Sequence, residues 1–464
     1  MMLSTLDKLI LDHGTPTKTS IRRRCVPRFN HRWGLARGAV PHRKGWKGTT
    51  IIMSLSKFMC VAGLAACVAL NSPVEADQTQ RGTLSQMLEA VERNPELAVK
   101  RARGDAARAN RDVLESFKSP KVSVKADGDL ISSDAEEQVL EASIEQTIHD
   151  WGALDADLRE AGLNILTENA ELAALERRVR REVVNGYVAG MRASNLLAAL
   201  DLAIGDVSTI EAVMSRRVKQ NVNPATDLFL VRARLSQYRS SRIQADGDLR
   251  DAHLRLIQLT GLMPEDDMSL DCSADLDERV VVQLAINNSA EIKAERLRVE
   301  ATSAKQDGLM ARQLPSIVGG VGFTENLNTS AGGSRAFISV RYDYDLGDRY
   351  LAELATLKAE VAESKFEEQR LIQSIVRESA GLTNTHRVEQ SRSVILREMI
   401  GIREDQLASM SRRFSAGQVT LIELMNVQQD LSDARAALVE AKAASCGALM
   451  NLEQLAGRGL RAGR

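Results

Sequence analysis

Glu141 and Glu145 stand at alternate positions in "VLEASIEQTIH", with Leu140, Ala142, Ile144 and Ile148 on the intervening parity. Arg341 and Asp343 stand likewise in "RAFISVRYDYDL", against Ala336, Ile338, Val340, Tyr342 and Tyr344. A period of two gives a strand one wet face and one apolar face. Charges placed this way hold water and ions along a surface; they do not make or break bonds. The six histidines form no HExxH or similar ligand set. No P-loop, dinucleotide fingerprint or GxSxG occurs, so no nucleophile, base and orienting group can be assembled. The chain reads as a non-enzyme with no cofactor and no metal.

Cysteine usage adds a compartment. Cys25, Cys60 and Cys67 fall within the first 76 residues, leaving Cys272 and Cys446. An oxidising compartment permits a disulfide between those two. Two packed, free thiols are the equal alternative, and the spacing suggests no metal.

Charge is unevenly spread. The chain of 464 residues has a net charge of −1, yet 12 of its 61 basic and 3 of its 62 acidic residues lie in 1–76. The remainder is therefore at −10, which argues against nucleic-acid binding. From Met53, "MSLSKFMCVAGLAACVALNSPVEADQ" has a lysine, an apolar run from Phe58 to Leu70 and the small-residue pattern Val74-Glu75-Ala76. Residues 53–76 read as a Sec signal peptide, with an apolar run too short to span a bilayer. Residues 1–52 are basic and aperiodic, and read as a non-native extension ahead of a start at Met53. "LAAC" (64–67) resembles a lipoprotein cleavage box. The apolar run continues through Val68-Ala69-Leu70, so acylation of Cys67 is the secondary reading.

The elements that carry the strands occur twice. Glu96 and Glu291 lie 195 residues apart, and at that offset Pro120 falls on Pro315, Asp150 on Asp345, Gly152 on Gly347 and Gly186 on Gly381. After one insertion, Asp227-Leu228 falls on Glu423-Leu424, and "LTG" (259–261) on "LAG" (455–457). Internal duplication places a first repeat at 77–261, an acidic linker at 262–278, a second repeat at 279–457 and a tail at 458–464. In each repeat the pattern predicts one helix of about 35 residues (84–118; 279–313) stopped by a proline. Two strands follow (about 120–149; about 315–346), joined by "ISSDAE" and "TENLNTSAGGS". Next come a long helix (152–218; 347–414), a turn, and a return helix (226–260; 421–456). Leu424, Leu431, Leu438, Ser445 and Leu452, with Val427, Ala434, Ala441, Ala448 and Leu455, keep strict heptads. Helices of this length are coiled-coil rods of roughly 100 Å.

The fold class is mainly α with a small β part. Four strands of about ten residues are the right length to cross a bilayer. Four cannot close, and an open sheet edge is not tolerated in lipid. Three copies give twelve strands and an even-numbered barrel. The apolar parity would then face lipid, with Tyr342 and Tyr344 in the interfacial girdle; Glu141, Glu145, Arg341 and Asp343 would face a wet lumen. The alternative is a soluble periplasmic coiled-coil protein, structural or adaptor-like, that buries the strands as a small sheet.

The duplicated plan, "NPEL" (94–97), "DWG" (150–152), "DLG" (345–347), and the turns followed by "TDL" (226–228) and "IEL" (422–424) resemble the TolC-like outer-membrane exit ducts. The resemblance spans about 84–457. It implies a homotrimer, with a twelve-stranded transmembrane β-barrel above an antiparallel α-helical coiled-coil barrel in the periplasm of a Gram-negative cell. It further implies a periplasmic membrane-fusion adaptor and an inner-membrane pump of the ABC or resistance-nodulation type. The duct itself would be a passive conduit for type I protein secretion or small-molecule efflux. By the same resemblance, Glu423, Asn426 and Asp227 form a periplasmic entrance constriction. The family's paired acids fall on Glu423 and Asn426, its tip tyrosine on Phe414 and its tip arginine on Val419. The acidic ring is thus partly kept, while the phenol and guanidinium that latch it are replaced. Glu423 and Asp227 also suit helix N-termini. Asn221, Gly417, Phe414 and Arg412 are expected in tip turns that contact the adaptor. Arg216, Arg217 and Arg413 lie beside them and have three readings: pairing with tip acids, adaptor contact, or solvation.

Overall fold

Two helices of 67 residues each, α3 (Ala153–Lys219) and α7 (Arg349–Ser415), are each about 100 Å long. The computed structural model describes residues 81–127, 139–270, 272–274, 276–326, 332–342 and 347–457. The extension 1–52, the signal 53–76 with Cys67, the "ISSDAE" turn, Asp343, Tyr344 and the tail 458–464 lie outside the described residues.

The remaining elements are β1 (Arg81–Gly82), α1 (Leu84–Ala90), a 3-10 turn (Val91–Arg93), α2 (Pro95–Ser116), β2 (Lys121–Asp127) and β3 (Val139–His149). The long helix α3 leads into α4 (Ala225–Thr260), then β4 (Met263–Pro264), α5 (Glu278–Asn288), α6 (Ala290–Ala311), β5 (Ser316–Asn326) and β6 (Gly332–Arg341). The chain finishes with α7 and α8 (Leu421–Ala456).

The single helix expected over 84–118 is in fact two, and so is its counterpart over 279–313. Asn94 is extended (ψ 132°) and its side chain accepts from the Glu96 N–H, starting α2 with Pro95 in the first turn. Proline there has no N–H to lose, and it pushes the preceding residue out of the helical region. In the second repeat Ser289 does the same, accepting from the Ile292 N–H. Both helices stop short of their prolines, at Ser116 and Ala311.

The duplication is visible bond by bond. Asn94 Nδ2 donates to the Leu259 carbonyl, and Asn288 Nδ2, one residue before the counterpart of Asn94, donates to the Ala456 carbonyl, one residue after that of Leu259. Asn221 and Gly417 both take a positive φ, followed by matching bonds from Val222 N–H to the Arg217 carbonyl and from Gln418 N–H to the Arg413 carbonyl.

Three layers share one lateral order. The sheet runs β2-β3-β5-β6, all antiparallel. Beside the strands the helices run α2-α3-α6-α7. Toward the tips they run α4-α3-α8-α7. The seam between α3 and α6 holds small residues: Ala156 on α3 faces Gly308 on α6, and Ala161 and Ala304 are buried on the same two helices. A Cβ at Gly308 would meet Ala156 Cβ at 3.4 Å, so the backbones approach closely. At the tips all four helices share one core, including Met214, Leu228, Phe414 and Leu424. No described helix is long and apolar enough to cross a membrane.

Candidate functional site

The strand register builds apolar rows across the whole sheet. Val122 pairs with Ile144, Ile144 with Val321, and Val321 with Ala336; Val124, Ala142 and Phe323 form the next row. This face is the exposed one, with Val122 at 67% and Ile338 at 76%. The polar face is the more covered one, with Ser143 at 8% and bonded to Ser123 at 2.8 Å. Glu141, Glu145 and Arg341 lie together on that polar face, as their spacing predicts. Arg335 pairs with Glu141 at 3.1 Å and Arg341 with Glu145 at 3.9 Å. Phe337 shares the polar parity against its type. Gly320 leaves its ring room, since a Cβ there would come within 2.7 Å of the ring. A sheet folded for water hides its apolar face; this one shows it.

The strand-to-helix turn explains "DWG". Trp151 and Gly152 both take positive φ, and the Asp150 carboxylate accepts from the Gly152 and Leu154 N–H groups, starting α3. Trp151 Nε1–H donates to the Pro315 carbonyl at 2.8 Å, tying the first repeat's turn to the start of β5.

At the tips, Glu423 is exposed and forms a capping box with Thr420: its carboxylate accepts from the Thr420 N–H and hydroxyl. Those bonds, from the backbone first and then the hydroxyl, hold the Glu423 carboxyl below its ordinary value, so it stays ionised. Asn426 is exposed one turn further along α8. Asp227, in the first turn of α4, accepts from Asn223 at 2.9 Å. Asn221, Gly417 and Arg412 are exposed in or beside the turns. Phe414 is not. Grouped by its position with the docking residues, it is 5% exposed and plugs the tip core, because it is the large apolar side chain where the helices meet.

Arg217 is the tip residue that the sequence left undecided. Its guanidinium lies 4.9 Å from the Phe414 ring centroid and donates to the Phe414 carbonyl at 2.9 Å. The tip therefore keeps a guanidinium contact, supplied by the other hairpin. Only the run of basic residues ending α3 hinted at it, and nothing in that run chose Arg217 over Arg216. Among the described residues, no cluster of His, Cys, Asp and Glu could hold a metal.

This inverted sheet, on paired helical hairpins repeated twice, defines the class of an outer-membrane channel with a helical body. The family model for "Outer membrane efflux protein" matches residues 87–262 and 281–458, and the chain belongs to that family. The fold is similar to that of the outer-membrane channel OprN (18% identity, TM-score 0.71, 83% of this chain and 94% of that one). It is also similar to VceC from Vibrio cholerae (14%, 0.70, 81% and 96%) and to the MtrE channel of Neisseria gonorrhoeae in its open state (15%, 0.67, 81% and 89%). No curated protein matches the chain by sequence.

Proposed function

We propose that three copies close side by side into a channel-tunnel that passively carries small molecules out of the cell. The sheet would sit in the outer membrane and the helices in the periplasm. The observation that carries this reading is the exposed apolar face on a sheet with two open edges. Among the described residues β2 and β6 have no outer strand neighbour. In lipid those edges must pair, and β6 of one copy meeting β2 of the next does so. Twelve strands result, with Trp151 and Tyr342, both half exposed, at the interfacial level. The wet face with Glu141, Glu145 and Arg341 would line the lumen.

The helical edges support the same closure. On α7, Val388, Ile395 and Ile402 form an exposed heptad stripe. Phe229 and Ile243 are exposed two heptads apart on α4, as are Val99 and Val113 on α2. These stripes lie on opposite edges of one copy and fit each other between copies. A soluble structural or adaptor-like coiled coil has no use for the inverted sheet.

At the entrance, three copies of Glu423 would face one axis, with Asn426 and Asp227 nearby. Capping does not remove the charge, so a capping carboxylate still attracts cations. The exposed turn residues Asn221, Gly417 and Arg412 would meet a periplasmic adaptor, and energy would come from an inner-membrane pump. Type I protein secretion through an ABC exporter is the other cargo compatible with a wide, wet duct.

The test is native mass analysis of the detergent-extracted complex, followed by complementation of a strain lacking its own exit duct. A trimer that restores drug tolerance is the expected result. A trimer that restores only protein export moves the cargo to secretion. A water-soluble monomer or dimer overturns the duct.

A further inference from the structure

Residues 262–277 join the two repeats, and the sequence presents them as an acidic stretch without period. In the structure the described residues of this stretch (262–270, 272–274, 276 and 277) form a strap tied down at successive points. Met263 and Pro264 pair in parallel with Arg81 and Gly82. Met268 is buried over Gly190 of α3, where a Cβ would come within 2.7 Å of Met268 Cε. Cys272 is disulfide-bonded to Cys446 on α8. The Ala274 carbonyl accepts from His386 of α7 at 3.0 Å, and Leu276 is buried just beyond. Between the ties, Glu265, Asp266, Asp267 and Ser269 are exposed.

His386 is only 2% exposed. With Nε2–H donating to Ala274, its Nδ1 accepts from the Ser445 hydroxyl at 3.0 Å. Ser445 is the neighbour of Cys446. The same histidine thus touches the strap near Cys272 and the helix beside Cys446. Lifting the strap would leave a buried ring N–H without its acceptor, which is costly.

We propose that the strap is a redox-controlled tie: His386 seats it in register, and oxidation of Cys272 with Cys446 then locks it across α3, α7 and α8. In the reduced chain only the His386 bond and the burial of Met268 and Leu276 hold the segment that begins at Glu265, so it lifts more often and widens a cleft of about 550 Å³ that includes Met191, Gln390, Arg397 and Lys442. Locking is a thiol–disulfide exchange with the disulfide of a thiol-oxidase protein. The Cys272 thiolate, on the less buried of the two cysteines, attacks the oxidase disulfide and forms a mixed disulfide. The Cys446 thiolate then attacks the Cys272 sulfur and releases the oxidase as a dithiol, which carries away both electrons and, by way of solvent, the two thiol protons. The two cysteines are 174 positions apart and the closed loop takes in α5 to α7 and α8 as far as Cys446, so one bond fastens the second repeat to the segment that delivers it. The tie is independent of how many copies assemble.

The test uses the purified full-length protein in detergent and a protease specific for acidic residues, which finds Glu265, Asp266 and Asp267 in the strap. The expected result is at least a tenfold faster cut within 265–277 after addition of reductant, with helical circular dichroism unchanged. Cys272→Ser should behave like the reduced wild type. His386→Gln should slow disulfide recovery of the reduced, folded protein in a glutathione buffer several-fold. Equal cleavage in the two redox states overturns the tie, and recovery of His386→Gln at the wild-type rate overturns the seating role.

Discussion

Arg217 reaches from the end of one long helix onto the aromatic ring that closes the other, and so couples the two tips of one chain. Its stacking and its bond to a carbonyl are together worth about 1–2 kcal/mol at a partly buried site. Arg217→Ala should therefore speed hydrogen exchange of the amides in 415–420 by roughly tenfold, without unfolding the rods; unchanged exchange would show that the contact does not hold the tip. Glu423 separates two roles that share one carboxylate. Thr420→Ala should cost about 1 kcal/mol of helix stability and leave the charge in place. Glu423→Gln keeps an acceptor for the capping box, so it should leave thermal unfolding unchanged and reduce cation preference in single-channel recordings; unaltered selectivity would confine Glu423 to capping. At this scale the sequence was legible where a role is local, as in the N-terminal position of Glu423. It was silent where the partner is distant: Phe414 lies 197 positions from Arg217, and Pro315 lies 164 from Trp151.

The helices are zipped across the repeats by ion pairs as well as by small residues. Lys100 of α2 bonds Glu168 and Glu171 of α3, and Arg298 of α6 joins Glu171 to Glu295. Burial disfavours the Glu171 charge, but bonds from Lys100 and then the field of Arg298 prevail and hold its carboxyl below the ordinary 4.5. A depressed carboxylate adds stability above its unfolded value that is lost as pH falls through the folded one. Glu171→Gln should therefore be less stable than the wild type at pH 7, with the gap closing below pH 4.5, as checked by thermal unfolding across pH. On Glu295 burial prevails over the field of Arg298 and raises the carboxyl; its own contribution declines as pH rises above the ordinary value. Lys100→Met should cost about 2 kcal/mol, between surface and buried pairs. Element type and order were legible because heptads and a period of two extend over many residues. The breaks at Asn94 and Ser289 were missed because apolar residues continue across them, so periodicity could not register a two-residue cap. The strap was missed because its ties are single residues with partners in other elements.

Assembly is decided at the edges. Ile338→Lys on the exposed strand face should cost about 2–4 kcal/mol per chain if that face meets lipid, and should abolish a heat-sensitive oligomer on unheated gels. An oligomer that survives unchanged would place that face outside the membrane. Ile395→Arg on the outer stripe of α7 should dissociate copies while preserving the helical signal of each, as read by light scattering and circular dichroism. Four strands per chain were legible as too few to close, so the expectation of further copies came from the sequence; which helices form the edges did not, because each rod is amphipathic on more than one side. The shared lateral order of sheet and helices has a further consequence. In the proposed trimer each repeat would be one sixth of the ring, and the contact between repeats inside a chain (β3 on β5, α3 on α6) would be of the same kind as the contact between chains. The proposed trimer would then be a hexamer of half-chains in which every second joint lies within one chain. Those joints would form at the high effective concentration of a tether, so only three of the six would have to find their partners by diffusion.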